Sequence, residues 1–190
     1  SYKITSEEFK IWIKILKNVK NSYLVLLSNN TEMQDNIREE ATKHNIDPMQ
    51  IKFVEYVNYE EHMARHKLFD LFLDSFNYNA HTSAVDSLWA ELPILTKVGN
   101  SFSSRICGSI LNSLGLSNLI TYSKKEYEKK AIFFGNNKNE ILNIKKNILE
   151  SKENKSFYDI KKYTLKLEEA YEKAHSIRLE KKIPTSFEIN

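Results

Sequence analysis

Residues 73–89 read LDSFNYNAHTSAVDSLW, and the rest of the chain is organised around this segment. It follows a short apolar run at residues 71–73, continues through polar residues typical of a loop, and ends with apolar residues at helical spacing. This order indicates a strand, a loop at the strand's carboxyl end and the N-terminus of a helix, which is where ligands bind in open parallel sheets. Because the first N–H groups of a helix lack internal partners and the helix dipole favours negative charge there, we expect a phosphate-bearing ligand to fit at residues 82–84.

Two interpretations of Ser83 and Asp86 are open from the sequence. In the first, Ser83 is the N-cap of the helix and Asp86 reaches back to it, as in a capping box, and no ligand is needed to explain either residue. In the second, the same hydroxyl and carboxylate contact a ligand bound at the helix N-terminus.

Apolar runs recur along the chain and predict five strands. They lie at residues 23–27, 51–54, 71–73, 93–96 and 119–121. Segments with helical spacing alternate with these runs, and residues such as Thr5, Asn58 and Ser123 stand where helix caps are expected. This alternation is typical of βαβ units with right-handed crossovers and a parallel sheet covered on both faces. We therefore predict an α/β fold with a Rossmann-like, doubly wound parallel sheet.

We place this Rossmann-like domain at residues 1–135 and a C-terminal helical tail at residues 136–190. Two charged helices are predicted within the tail, at residues 138–149 and 156–181. Their charge is typical of a solvated helix face. We expect the tail to pack on the domain or on a partner domain outside this chain.

Composition excludes several classes of protein. A chain of 190 residues with 41% hydrophobic residues suits a globular domain. No apolar run approaches the length of a membrane span, no signal peptide is expected at the start, and the single Cys107 suits a reducing compartment, so we expect a cytoplasmic protein. A net charge of +3, carried mostly by dispersed lysines, does not predict a nucleic-acid partner.

The motif NAHTSAVDSLWA at residues 79–90, followed by PILT at residues 93–96, resembles the protein O-GlcNAc transferase family and its SPINDLY-type relatives. The resemblance extends from Tyr2-Lys3 to about Tyr171. It implies the C-terminal, nucleotide-sugar-binding half of a glycosyltransferase of the GT-B type. It also implies inverting transfer of a sugar, most often GlcNAc, from a nucleotide diphosphate donor to Ser or Thr of a protein.

The resemblance assigns residues to the diphosphate and the ribose of the donor. Lys3, in a Tyr-Lys pair before the first helix, and His81 are the implied catalytic residues beside the phosphates. Thr82 and Ser83 would bind the phosphates through hydroxyls and amides. Asp86 would accept hydrogen bonds from ribose hydroxyls.

The resemblance also assigns a base-binding loop and a sugar contact. The Val57 backbone would bond the uracil edge, His62 would pack on the ring and Arg65 would reach it. Two residues depart from the family pattern. Tyr59 stands where uridine-using enzymes usually carry a ribose-contacting lysine, and Tyr78 stands near the expected place of the sugar's acetamido group. The alternatives are therefore a GDP-fucose or UDP-glucose donor, or a nucleotide-binding interaction module without turnover.

No metal site or cofactor is predicted besides the donor, which is expected to be UDP-GlcNAc. The chain has no Walker A loop, no GxGxxG and no Asp-x-Asp, and His62 and His66 share a helix face without a third ligand. Without a metal, helix amides, hydroxyls and a lysine have to neutralise the leaving diphosphate. The expected partners are the nucleotide sugar and a protein acceptor held by N-terminal regions outside this chain.

Overall fold

The computed structural model describes residues 3–28, 30–153, 157–180 and 183–189. It divides the chain into two compact units, Ser1–Ser151 and Lys152–Asn190. The ends of the helix predicted at residues 156–181 lie outside the described residues. The predicted division into domains at residue 135 remains a prediction.

Strands and helices alternate through the first unit, as predicted. The strands are β1 (Leu24–Leu27), β2 (Ile51–Val54), β3 (Phe72–Leu73), β4 (Ile94–Lys97) and β5 (Ile120–Thr121). The helices are α1 (Ser6–Asn18), α2 (Thr31–Lys43), α3 (Tyr59–His66), α4 (Thr82–Trp89), α5 (Ile106–Ser113), α6 (Lys124–Asn136), α7 (Lys138–Glu153) and, in the second unit, α8 (Ile160–Leu179). Short 3₁₀ segments occur at Pro48–Gln50, Phe102–Ser104 and Ser117–Leu119.

Every strand pairing in the described residues is parallel, which confirms the α/β class. β1 pairs with β2, with Leu24 opposite Ile51, while β3 pairs with β4 and β4 with β5. The strands thus form two hydrogen-bonded groups, and among the described residues no strand pairing joins β1 to β3. A cavity lined by residues of both strands occupies this place in the sheet.

The core of the first unit is built around β4. Ile94 and Leu95 are fully buried, and so are Leu88 of α4, Leu111 of α5 and Tyr127 of α6. Since β4 is hydrogen-bonded on both sides, its continuous apolar character is that of a central parallel strand.

α7 closes the first unit through a stripe at helical spacing. Ile141, Ile144 and Ile148 are buried, and the Lys145 ammonium donates to the Phe69 carbonyl at 3.3 Å. α8, in the second unit, has no buried residue, as expected for a charged and solvated helix. No helix in the described part of the chain is long and apolar enough to span a membrane.

Candidate functional site

A cavity of about 450 Å³ opens beside the carboxyl ends of β1 and β3. The predicted site residues that line it are Lys3, His62, Arg65, Tyr78 and Ser83. They come from the segment before α1, from α3, from the β3–α4 loop and from α4. The structure therefore brings together residues that are up to 80 positions apart in sequence.

Lys3, Tyr78 and His81 form a stack at the mouth of α4. The Lys3 ammonium lies 4.2 Å from the centre of the Tyr78 ring, and the His81 ring stacks on Tyr78 at 4.8 Å with 20° between the planes. A cation and an imidazole at these distances do not fit on the same face of one ring, so Tyr78 separates Lys3 from His81. The Phe102 ring lies edge-on to His81 at 6.5 Å.

The N-terminus of α4 differs from the capping-box interpretation, which is wrong. The helix begins at Thr82, its N-cap is His81, and no side chain caps it. Ser83 lies in the first turn, where its carbonyl accepts a hydrogen bond from the Ser87 hydroxyl at 2.7 Å. The Ala84 amide bonds back to the His81 carbonyl, while the amides of Thr82 and Ser83 come too early in the helix for an intrahelical acceptor. This end of α4 thus presents free donors, as an anion-binding helix end does.

Asp86 contacts Tyr59 rather than capping its own helix. The Tyr59 hydroxyl donates to Asp86 Oδ1 at 3.3 Å, which connects α3 with α4. The nearby Asp86 carboxylate raises the pKa of Tyr59, because a negative charge disfavours the phenolate. Tyr59 therefore stays a neutral hydrogen-bond donor beside a carboxylate.

His62 and Arg65 form a small cluster on α3. Arg65 donates to the Glu55 carbonyl at 2.8 Å and lies 3.0 Å from His62 Nδ1. His66 packs edge-on against His62, at 4.5 Å between ring centres. Burial lowers the pKa of His62, with contributions from His66 and Arg65, so His62 is predominantly neutral at pH 7. A neutral, half-buried imidazole suits stacking better than the binding of an anion.

The remaining predicted members lie outside the lining of the cavity. Val57 is 42% exposed in the β2–α3 loop, and Thr82 is exposed at the start of α4. His81, Tyr59 and Asp86 are connected to lining residues through the contacts described above. No group of three His, Cys, Asp or Glu side chains in the described residues is placed to hold a metal ion.

Two buried carboxylates support the site, and sequence reasoning identified only their local roles. Glu8 completes a capping box with Thr5, as predicted, but its second oxygen also accepts from the Phe76 amide in the β3–α4 loop. Asp74 caps the turn after β3, as expected for an aspartate at a strand end. The burial of both carboxylates depends on long-range packing and has no signal in the local sequence.

Residues 1–167 match the model of glycosyl transferase family 41. The chain belongs to this family. It is 32% identical over 88% of its length to a UDP-N-acetylglucosamine–peptide N-acetylglucosaminyltransferase of Caenorhabditis elegans, and 31% identical over 99% of its length to the probable enzyme of this name, SEC, of Arabidopsis thaliana. It spans 15% and 19% of the lengths of these relatives.

A solved structure shares the fold of this family 41 chain. A mutant O-GlcNAc transferase of Thermobaculum terrenum superposes with a TM-score of 0.84 at 21% identity, covering 89% of this chain and 33% of that one. The likeness confirms the Rossmann-like α/β architecture, although the strands of the present chain pair in two groups.

Proposed function

We propose that this family 41 chain is the donor-binding half of an inverting, metal-independent glycosyltransferase that transfers GlcNAc from UDP-GlcNAc to Ser or Thr of proteins. The convergence of Lys3, His81 and the uncapped N-terminus of α4 beside one cavity carries the proposal. The names of the two curated relatives support the choice of donor and of a peptide acceptor.

In the proposed reaction, the bond between the anomeric carbon and the diphosphate oxygen breaks, and the acceptor hydroxyl attacks from the opposite face. Negative charge develops on the leaving diphosphate. The Lys3 ammonium, the amides of Thr82 and Ser83, and their hydroxyls are the groups placed to stabilise that charge. The base that removes the acceptor proton would come from regions outside this chain.

Binding of the diphosphate requires a rearrangement at Tyr78 in this proposal. The Tyr78 ring lies between Lys3 and His81, so a ligand held by both residues has to displace it. The cation–π contact that is lost contributes about 0.5–1 kcal/mol at an exposed site, and an ion pair between Lys3 and a diphosphate compensates for it.

For the nucleoside, the residues on α3 and the carboxylate of Asp86 support the proposed contacts. His62 offers a neutral ring for stacking and Arg65 points into the same cavity. Asp86 has one oxygen bonded to Tyr59, which leaves its second oxygen for a ribose hydroxyl. The Val57 backbone remains the proposed contact for the base edge.

The pairing of Tyr59 with Asp86 favours one alternative, a donor other than UDP-GlcNAc. The neutral Tyr59 hydroxyl occupies the place where the uridine-using relatives are expected to present a lysine. GDP-fucose or UDP-glucose would then be the donor, and a chain that binds nucleotide without turnover is the limiting case. The cytoplasmic location and the lack of a nucleic-acid partner remain predictions.

Calorimetric titration of the chain with UDP and with GDP, each without and with magnesium, tests the proposal. We expect UDP to bind more tightly than GDP, with an affinity that magnesium does not change, because protein groups neutralise the phosphates. A preference for GDP contradicts the choice of donor. A requirement for magnesium contradicts the metal-independent mechanism, and binding of neither nucleotide contradicts the assignment of the site.

A further inference from the structure

One buried carboxylate, that of Asp74, connects the loop of the proposed phosphate site with the core. Residues 75–81 join β3 to α4 and include both Tyr78 and His81. Asp74 precedes this loop directly and is only 1% exposed. A carboxylate so deeply buried destabilises a fold unless hydrogen bonds compensate for its lost hydration.

The hydrogen bonds of Asp74 reach both ends of the loop. Its Oδ1 accepts from the backbone amides of Ser75, at 2.9 Å, and of Ala80, at 2.7 Å. Its Oδ2 accepts from the Thr96 hydroxyl of β4 at 2.6 Å, and its backbone carbonyl accepts from the buried Tyr127 hydroxyl at 3.0 Å. The amide immediately before His81 is thereby held at a fixed place above the sheet.

Other hydrogen bonds shape the loop but do not anchor it to β4. The Ser75 hydroxyl donates to the Tyr78 carbonyl at 2.6 Å, and the Asn79 side chain donates to the Ser75 carbonyl at 2.7 Å. The Asn79 amide donates to the Ser103 carbonyl of the β4–α5 loop at 2.9 Å. Among the described contacts of this loop, those of Asp74 are the ones that lead through a side chain to the central strand.

The groups around Asp74 explain its electrostatic state. Burial raises the pKa of Asp74 to about 6, while the hydrogen bonds from Thr96, Ala80, Cys107 and Ser75 oppose that rise. The carboxyl is therefore mostly ionised at pH 7 and accepts hydrogen bonds through both oxygens.

We propose that Asp74 is a positioning residue of the nucleotide-sugar site, which fixes Tyr78, His81 and the start of α4 by accepting from the amides of Ser75 and Ala80. Its ligand rests on the proposed function, but the positioning of the loop does not. The role depends on the Oδ1 acceptor rather than on the negative charge. An asparagine retains that acceptor, and its amide can donate to the Thr96 oxygen.

Three variants separate positioning from general destabilisation. Asp74→Ala removes the acceptor of both amides, Asp74→Asn retains it, and Thr96→Val removes the hydroxyl donor while leaving Oδ1 in place. The affinity for UDP is measured by calorimetry on each folded variant. Hydrogen exchange of the Ser75 and Ala80 amides is measured by NMR without any nucleotide, so that the loop is observed independently of its ligand.

We expect Asp74→Ala to weaken UDP binding by about tenfold or more, because the amides that hold the loop lose their acceptor. The same variant should speed exchange of the Ala80 amide by a similar factor of about ten, while Asp74→Asn and Thr96→Val stay within about threefold of the unmodified chain in both measurements. These results together support the positioning role.

Several results overturn it. A folded Asp74→Ala variant with unchanged UDP affinity and Ala80 exchange shows that the loop does not depend on Asp74. An equal loss of affinity in Asp74→Asn assigns the effect to charge, and an equal loss in Thr96→Val assigns it to general destabilisation. If Asp74→Ala does not fold, the unmodified chain decides: an Ala80 amide that exchanges without protection overturns the proposal. If the unmodified chain binds no UDP, the proposed function fails while the exchange measurement still tests the loop.

Discussion

Tyr78 lies between the two residues that are expected to hold the diphosphate, and this arrangement gives Lys3 and His81 testable roles. Lys3→Ala removes a cation and His81→Ala removes a ring at the N-cap of α4 that makes no side-chain cap bond. We expect each change to weaken UDP binding by about ten- to a hundredfold, the range for a hydrogen bond to a charged group. Stability should change little, since neither side chain is buried.

A matched lysine provides the control for this prediction. Lys10 is exposed on α1, away from the residues that line the cavity. Lys10→Ala should leave the calorimetric affinity for UDP unchanged. Unchanged affinity in both Lys3→Ala and His81→Ala would remove these residues from the phosphate site.

The buried Asp74 predicts an unusual dependence of stability on pH. Its pKa is raised from 3.8 to about 6 by burial, so between these values the folded chain retains a proton that the unfolded chain has released. Stability from this group is therefore present below about pH 4 and is lost as pH rises through about 6, by roughly 3 kcal/mol in full. Most paired carboxylates contribute in the opposite direction.

Comparison with Asp74→Asn isolates this contribution, because asparagine does not titrate. Urea unfolding of both proteins at pH 4 and pH 7 gives the difference in their free energies of unfolding. That difference should shift against the unmodified chain as pH rises. A constant difference would show that Asp74 has an ordinary pKa in the folded chain.

At the scale of single residues, the resemblance of sequence identified the members of the site but not their contacts. The pattern around His81 predicted which side chains lie near the phosphates. It did not predict that Tyr78 stacks on His81 or that Tyr59 donates to Asp86. These contacts depend on the distance between α3, α4 and the segment before α1, which no local pattern specifies.

At the scale of elements, α1 and the β3–α4 loop are joined through Glu8. One oxygen of Glu8 accepts from the Thr5 amide at 2.7 Å and the other from the Phe76 amide, and the residue is fully buried. The bond to Phe76 connects the helix that follows Lys3 with the loop that carries His81. Glu8 therefore contributes to tertiary structure as well as to the helix cap.

Glu8→Gln should lower the free energy of unfolding by about 1–3 kcal/mol, because a glutamine has one acceptor oxygen and leaves a buried amide unsatisfied. Glu7→Gln is the matched control. Glu7 lies in the same helical turn but is exposed and pairs with Lys124, so its loss should cost at most about 1 kcal/mol. Urea unfolding of both variants makes the comparison, and equal losses would contradict the role assigned to Glu8.

Helix starts were predicted well where a local side chain makes the cap. Thr5, Asn58 and Ser123 each accept a hydrogen bond from the third residue of their helix, as predicted. The start of α4 was not, because His81 takes the N-cap position through its backbone alone. A capping pattern within an anion-binding turn resembles an ordinary helix start, so the local sequence does not distinguish them.

At the scale of the whole molecule, alternation of apolar runs and helical segments predicted the five strands to within one residue at each end. Hydrophobic periodicity is strong in buried parallel strands, which explains this success. The grouping of the strands was not predictable in the same way. Pairing is a long-range property, and the cavity between β1 and β3 is lined by residues from several elements.

The sequence by itself determined the α/β class, the order of the elements and the family to which the chain belongs, because periodicity, caps and motif spacing are local properties. The tertiary structure alone decided that Tyr78 separates Lys3 from His81, that Asp86 pairs with Tyr59, and that Asp74 and Glu8 are buried beneath the loop of the site. The reason is physical: burial and side-chain contacts depend on how distant segments meet in the core, and the sequence specifies that meeting only through the fold as a whole.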